Sequence, residues 1–169
     1  MYFIVATTPS DSPFAIDGFS GQLYVSSSEP VLDFEESASW DIVVSAVDGD
    51  GLSAATTVTV LLTDVNDPPT LADDAFSIAE SSVEGVLIGT MLGSDVDAGQ
   101  TVTHSISAGD DNEVFRIDTG TGAITLWRVS FSGSSSLDFE DADRDGFVLT
   151  VTATDNGLGG LTATAAVAI

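Results

Sequence analysis

Cysteine and lysine are both absent, and cations are scarce: three arginines (Arg116, Arg128, Arg144) and one histidine in 169 residues. Without cysteine neither disulfides nor a thiolate metal site is available, and with His104 as the one imidazole a soft-metal centre is excluded too. An exported protein without disulfides needs other reinforcement, and bound metal is one form of it. The shortage of cations stands against 27 Asp and Glu, for a formal net charge of −24. Contact with phosphate backbones or anionic lipid heads requires clustered Lys or Arg, so nucleic acid is excluded as a partner. Long apolar blocks are missing as well. The 43% of hydrophobic residues fall in short alternating runs, and none approaches the ~20 consecutive apolar residues of a membrane span. Met1–Val5 has neither a basic start nor a full apolar stretch, so it does not read as a secretory signal, and an export address is expected outside this sequence.

What is present is said twice. From Phe14 the chain reads F-A-I-D-G-F-S-G, then L-D-F-E at Leu32–Glu35, then W-D-I-V-V-S-A-V-D ending at Asp48. From Phe115 it reads F-R-I-D-T-G-T-G, then L-D-F-E at Leu137–Glu140, then F-V-L-T-V-T-A-T-D ending at Asp155. The offset grows from 101 at Phe14/Phe115 to 107 at Asp48/Asp155, so the copies agree in order and differ by small loop insertions. This is a tandem repeat. The second copy carries about thirty further residues, Thr70 to roughly Val102, before its match begins at Tyr2 and His104. Residues 1–67 are therefore expected to lack opening strands and to expose an unpaired sheet edge, with 68–169 a nearly complete repeat and 64–69 the linker. The whole resembles a piece of a longer array.

Period-2 alternation indicates strands rather than helices. Trp40, Ile42, Val44 and Ala46 share one face before Asp48; Phe147, Leu149, Val151 and Ala153 share one before Asp155. Val58, Val60 and Leu62 do the same before Asp64, and Ala163, Ala165, Val167 and Ile169 repeat that pattern. Gly, Ser, Asp and Asn fill the gaps, and short strands at this spacing point to an all-β, antiparallel sandwich. Three inward rows thus run out in an aspartate, at Asp48, Asp64 and Asp155. A carboxylate on an inward face is costly unless something neutralises it.

These ordered motifs, with D-V-N-D-P-P at Asp64–Pro69 and S-D-V-D at Ser94–Asp97, resemble a pair of cadherin repeats. They are also similar to cadherin-like repeats of bacterial surface proteins, whose linkers often keep D-V-N-D and lose the following Asn. The resemblance covers nearly the whole chain. It implies tandem Greek-key immunoglobulin-like β-sandwiches and calcium between successive repeats. It implies as ligands Asp33 and Glu35 of the first repeat, with Asp64, the Val65 carbonyl, Asn66 and Asp67 from the linker. Asp95, Asp97 and Asp155 would come from the second repeat. The chain departs from the family at Pro68, which stands where a second Asn is usual. A bridging Glu near the start of repeat one is not matched, and its counterpart in repeat two is Glu80. With Asp48, Asp138 and Glu140, Glu80 is expected to serve neighbouring repeats, leaving incomplete occupancy on the first-repeat side.

The chemistry fits the metal independently. Calcium takes about six to eight oxygens in flexible geometry, and magnesium demands a stricter octahedron. Carboxylates crowded at about 6 Å repel by roughly 0.7 kcal/mol per pair even at the dielectric of water, so the ion-free linker is expected to be splayed or mobile and the filled one stiff. The function that the resemblance implies is a calcium-dependent adhesion or structural module at the cell surface, in a membrane-associated parent, with homophilic or heterophilic protein partners.

Other features have plainer readings. Asp141, Asp143, Asp145 and Gly146 open like a helix-loop-helix calcium loop, but the twelfth position is Thr152 inside an expected strand, which favours an acidic hairpin turn. His104 matches Tyr2 and is read as a strand position rather than a base. Trp127 has outward parity, beside inward Ile124 and Leu126, and is read either as a contact for sugar or protein or as cover for a loop. A carbohydrate-binding accessory module or a passive spacer are the alternative functions. Paired carboxylates also hydrolyse glycosides, but these acids sit in linker motifs rather than a cleft, so no enzyme is expected.

Overall fold

The computed structural model describes residues 1–26, 32–131, 134–135, 137 and 146–169. Asp138, Glu140 and the D-x-D-x-D run lie outside these. Backbone contacts divide the chain into two units, Met1–Val65 and Asn66–Ile169. Among the described residues every regular element is a strand.

Unit 1 contains β1 (Tyr2–Thr8), β2 (Phe14–Ile16), β3 (Leu23–Val25), β4 (Ser39–Val47) and β5 (Ser53–Leu61). An antiparallel sheet runs β1-β4-β5, and β2 pairs with β3 as a hairpin. Unit 2 contains β6 (Asp74–Ala75), β7 (Leu87–Thr90), β8 (Thr103–Ala108), β9 (Phe115–Ile117), β10 (Ala123–Leu126), β11 (Ser130–Phe131), β12 (Ser134–Ser135), β13 (Val148–Thr154) and β14 (Thr162–Ala168). One sheet runs β6-β14-β13-β8 and a second runs β7-β10-β9. Leu149, Val151 and Val167 from the first meet Phe115, Ile124 and Leu126 from the second in a common core, which makes unit 2 a sandwich. Each such side chain taken out of water stabilises by about 1.5–3 kcal/mol.

The repeat holds at the level of register. Tyr2 faces Ala46 as His104 faces Ala153, and both strand pairs slip by one residue at the same place, after Ile4 in β1 and after Ile106 in β8. The F-x-I-D-x-x-x-G motif is a turn. Asp17 Oδ1 accepts from the Ser20 N–H and hydroxyl, and Asp118 Oδ1 accepts from the same groups of Thr121. The motif's glycines, Gly21 and Gly122, sit at φ of 74° and 71°, in the left-handed region where a Cβ is penalised.

The inward row of β13 lies as its alternation predicts, with Leu149, Val151 and Ala153 buried; in β4 Trp40 and Ile42 are buried, but Val44 and Ala46 are only half-buried and Ser45, of the opposite parity, is buried. Trp40 packs edge-on against Phe14. The row in β5 does not share this fate: Val58 is 38% exposed whereas Val167, its counterpart in β14, is fully buried. The reason is cover. In unit 2, β6 pairs with β14, and Leu71, Phe76 and Ile78 pack on the core; among the described residues β5 pairs with β4 alone. A second departure concerns the aspartates expected to end inward rows. Asp155 is buried, but Asp48 and Asp64 are exposed, so the cost argued for an inward carboxylate applies at Asp155 only.

Candidate metal centre

One end of unit 2 gathers polar groups from three places in its sequence: the opening residues Asn66 and Asp67, the turn Asp95–Gln100, and the loop after β13 at Asp155–Leu161. Asp155 fixes that loop. Its Oδ1 accepts from the N–H groups of Gly157 and Leu161, both at 3.0 Å, and its backbone N–H donates to Leu161. Its other oxygen, Oδ2, accepts from the Asn66 side-chain amide at 2.9 Å. Asp97 plays the matching part from the turn. Asp97 Oδ2 accepts from the Asp67 N–H at 3.0 Å and from the Gln100 side-chain amide at 2.8 Å, while the Asp97 N–H donates to Asp95 Oδ1. Gln100 also donates to Asn66 Oδ1, at 2.5 Å.

Two carboxylates here are almost wholly removed from solvent, Asp97 at 6% exposure and Asp155 at 5%. Asp95 Oδ2, Asp97 Oδ1 and Gln100 Oε1 are buried with no hydrogen-bond partner. An unsatisfied buried polar atom costs about 1–3 kcal/mol, and more when it carries charge. Oxygen donors of this kind, supplied by carboxylates and amides without nitrogen or sulfur, suit a hard divalent cation. The donor set therefore fits calcium.

Gly157 is required by the packing. A Cβ there would collide with Asn66 Oδ1 and crowd Gln100 Oε1, so only glycine lets these two amide oxygens lie against the loop.

Of the residues singled out from the sequence, Asn66, Asp67, Asp95, Asp97 and Asp155 are brought together in this way. In unit 1, Asp33 Oδ1 caps its own turn by accepting from the N–H groups of Glu35 and Glu36, both at 3.0 Å. Asp64 and Val65 are exposed. Asp48 closes the β4–β5 hairpin through the N–H groups of Asp50 and Leu52, as Asp155 closes its own loop. Glu80 is exposed beside the Ala79–Ser82 turn. Gln100 was not singled out. The signal that could have found it is its place three residues after Asp97, beyond Gly99, where a tight turn returns its amide to the carboxylate.

His104 is a buried strand residue in β8 whose Nε2 accepts from the Gly93 N–H at 3.1 Å. Trp127 points outward as expected, 40% exposed, but the guanidinium of Arg116 lies 3.1 Å from its ring centre. That face is engaged by a cation within the same unit. Trp127 rims a cavity of about 420 Å³ with Asp110, Glu113, Arg116 and Ile117. Desolvation raises the Asp110 carboxyl above its ordinary range despite the N–H groups of Val114 and Phe115 that it accepts from.

The cadherin domain family matches residues 74–169, more than half of the chain. Dachsous of Drosophila melanogaster is 36% identical over 163 residues, covering 85% of this chain and 4% of its own length. Protocadherin Fat 4 of Mus musculus is 33% identical over 168 residues, covering 95% of this chain and 3% of its own. The chain thus spans only a few hundredths of these relatives. Among solved structures, mouse cadherin-23 EC22-24 matches at a TM-score of 0.66 with 26% identity, over 99% of this chain and half of that one. Protocadherin gamma B2 extracellular cadherin domains 3–6 match at 0.68 with 23% identity, over 99% of this chain and 40% of that one.

The fold and these matches define an all-β, immunoglobulin-like extracellular repeat module. The chain belongs to the cadherin family.

Proposed function

We propose that the chain is a calcium-dependent adhesion and structural module of a surface protein. In this reading Asn66, Asp67, Asp95, Asp97 and Asp155 hold calcium jointly with Asp33, Glu35, Asp64 and the Val65 carbonyl, and the ions stiffen the joint between repeats. The observation that carries it is the pair of buried, unpartnered carboxylate oxygens, Asp95 Oδ2 and Asp97 Oδ1. Family membership supports the choice of ion. When bound, calcium supplies the positive charge that a chain of net charge −24 with three arginines cannot supply itself.

The protein's own groups prepare the site. Asp155 and Asp97 are held by backbone N–H donors, so their remaining oxygens are fixed before an ion arrives. Preordered ligands lower the cost of binding. Residues 1–67 are read as a repeat without its opening strands and 68–169 as a nearly complete one. Asp48, Glu80, Asp138 and Glu140 would serve further repeats on either side. Partners are then neighbouring repeats of the parent chain and a homophilic or heterophilic surface protein.

Small-angle X-ray scattering with and without calcium tests the structural part. A narrower distribution of sizes in calcium than in chelator supports the reading. Identical profiles in both overturn it.

A further inference from the structure

Gln100 is in an unusual position for a neutral side chain. Its amide nitrogen donates to two oxygens of the candidate ligand set at once, Asn66 Oδ1 and Asp97 Oδ2, while its own Oε1 is buried without a partner. Its backbone N–H donates to the Asp97 carbonyl, and the next residue, Thr101, is pinned by the Asn156 side chain at 2.8 Å, so the turn that carries it is held at both ends. Of the arginines in unit 2, Arg128 pairs with Glu113 and Arg116 stacks on Trp127. The Gln100 N–H groups therefore supply positive charge density to the oxygens there.

We infer that the Gln100 carboxamide is a stand-in for the cation: it binds the ligand oxygens when no ion is present and gives them up when calcium enters. This rests on the calcium reading above. An amide is suited to the role because it is reversible by rotation. One end is a donor that satisfies Asn66 and Asp97, and the other is an acceptor that can join an oxygen donor set. The buried, unpartnered Oε1 is what such a two-ended group leaves over when its donor end is in use. A Cβ at Gly157 would lie 2.5 Å from Oε1, so the glycine is what lets the amide take up this position.

The side-chain amide resonances of Gln100 in the isotope-labelled full chain give a direct readout. They are expected to be slowed in hydrogen exchange in chelator and to shift and lose that protection on titration with calcium chloride. Gln100→Glu replaces the donor by a second acceptor. It should lower the melting temperature in chelator, where the added carboxylate faces Asp97, and tighten calcium binding by about tenfold by adding a charged ligand. Amide resonances that calcium leaves unmoved, or a Gln100→Glu loss of melting temperature that is equal in calcium and in chelator, would overturn the inference while leaving calcium binding intact. If the unmodified chain takes up no calcium at all, the underlying reading fails and this one with it. The resonance experiment needs no variant, so it decides the matter even if Gln100→Glu folds poorly.

Discussion

The side-chain amide of Asn66 donates to Asp155 Oδ2 at 2.9 Å, joining positions 89 residues apart in the sequence. The first residue of unit 2 is thereby fastened to the loop that follows β13. That loop has a twin at Asp48, where the same carboxylate-to-backbone bonds close the hairpin but no amide reaches the second oxygen among the bonds seen there. The difference between a turn and a candidate ligand is thus one additional partner and burial.

Asp97→Ala should separate a ligand from a structural residue. In saturating calcium the variant is expected to melt lower and to bind calcium about ten- to a hundredfold more weakly. In chelator its melting temperature should change little, because removing a buried carboxylate also removes its desolvation cost. Equal losses in both conditions would show that Asp97 only supports the turn.

Gly157→Ala tests the packing of the same end. The new methyl group must displace Asn66 and Gln100, so a loss of about 1–3 kcal/mol in unit 2 is expected from chemical denaturation. Wild-type stability would mean that the two amides can move aside freely.

Asp118 and Asp17 make a pH prediction of defined sign. Hydrogen bonds to Thr121 hold the Asp118 carboxyl below its ordinary value of 3.8, and those to Ser20 do the same for Asp17. A carboxyl depressed in the folded state stabilises fully above the unfolded value and loses that contribution as pH falls through the folded one. Asp118→Asn should therefore melt below wild type at pH 6, with the gap closing as pH drops below about 3.8. A gap that persists unchanged into stronger acid would contradict this. Both groups are fully exposed, so solvent keeps the effect small.

Val58 addresses the open side of unit 1. An edge strand with an apolar row invites pairing with another chain, and a charge on that row discourages it. The chain is expected to self-associate with rising concentration, and Val58→Lys to reduce this in sedimentation velocity. A monomer at all concentrations would remove the edge as a cause of association.

Much of this was legible in the sequence because it is written in short-range patterns. Alternation placed Leu149, Val151 and Ala153 on one buried face, and the repeated F-x-I-D-x-x-x-G marked two copies of one unit, though not that the motif is a turn. The matched position of His104 and Tyr2 anticipated their common register. What was not legible depends on contacts distant in sequence. Val58 and Val167 occupy equivalent places in equivalent rows, yet only Val167 is covered, because the cover comes from a strand some ninety residues away. Asp48 and Asp155 end equivalent rows, yet Asn66 reaches only one of them. Gln100 carries no motif of its own, and its place between two oxygens depends on Asn66, a partner 34 residues away. Trp127 was correctly turned outward, but its partner Arg116 lies on a neighbouring strand that parity alone does not identify.

Isothermal titration of the chain with calcium chloride, alongside Asp97→Ala, addresses the central claim most directly. The account predicts saturable uptake in the unmodified chain, weakened in the variant, with magnesium a poor substitute. No uptake, or uptake that the substitution leaves unchanged, would mean that the buried oxygens of Asp95 and Asp97 await something other than calcium.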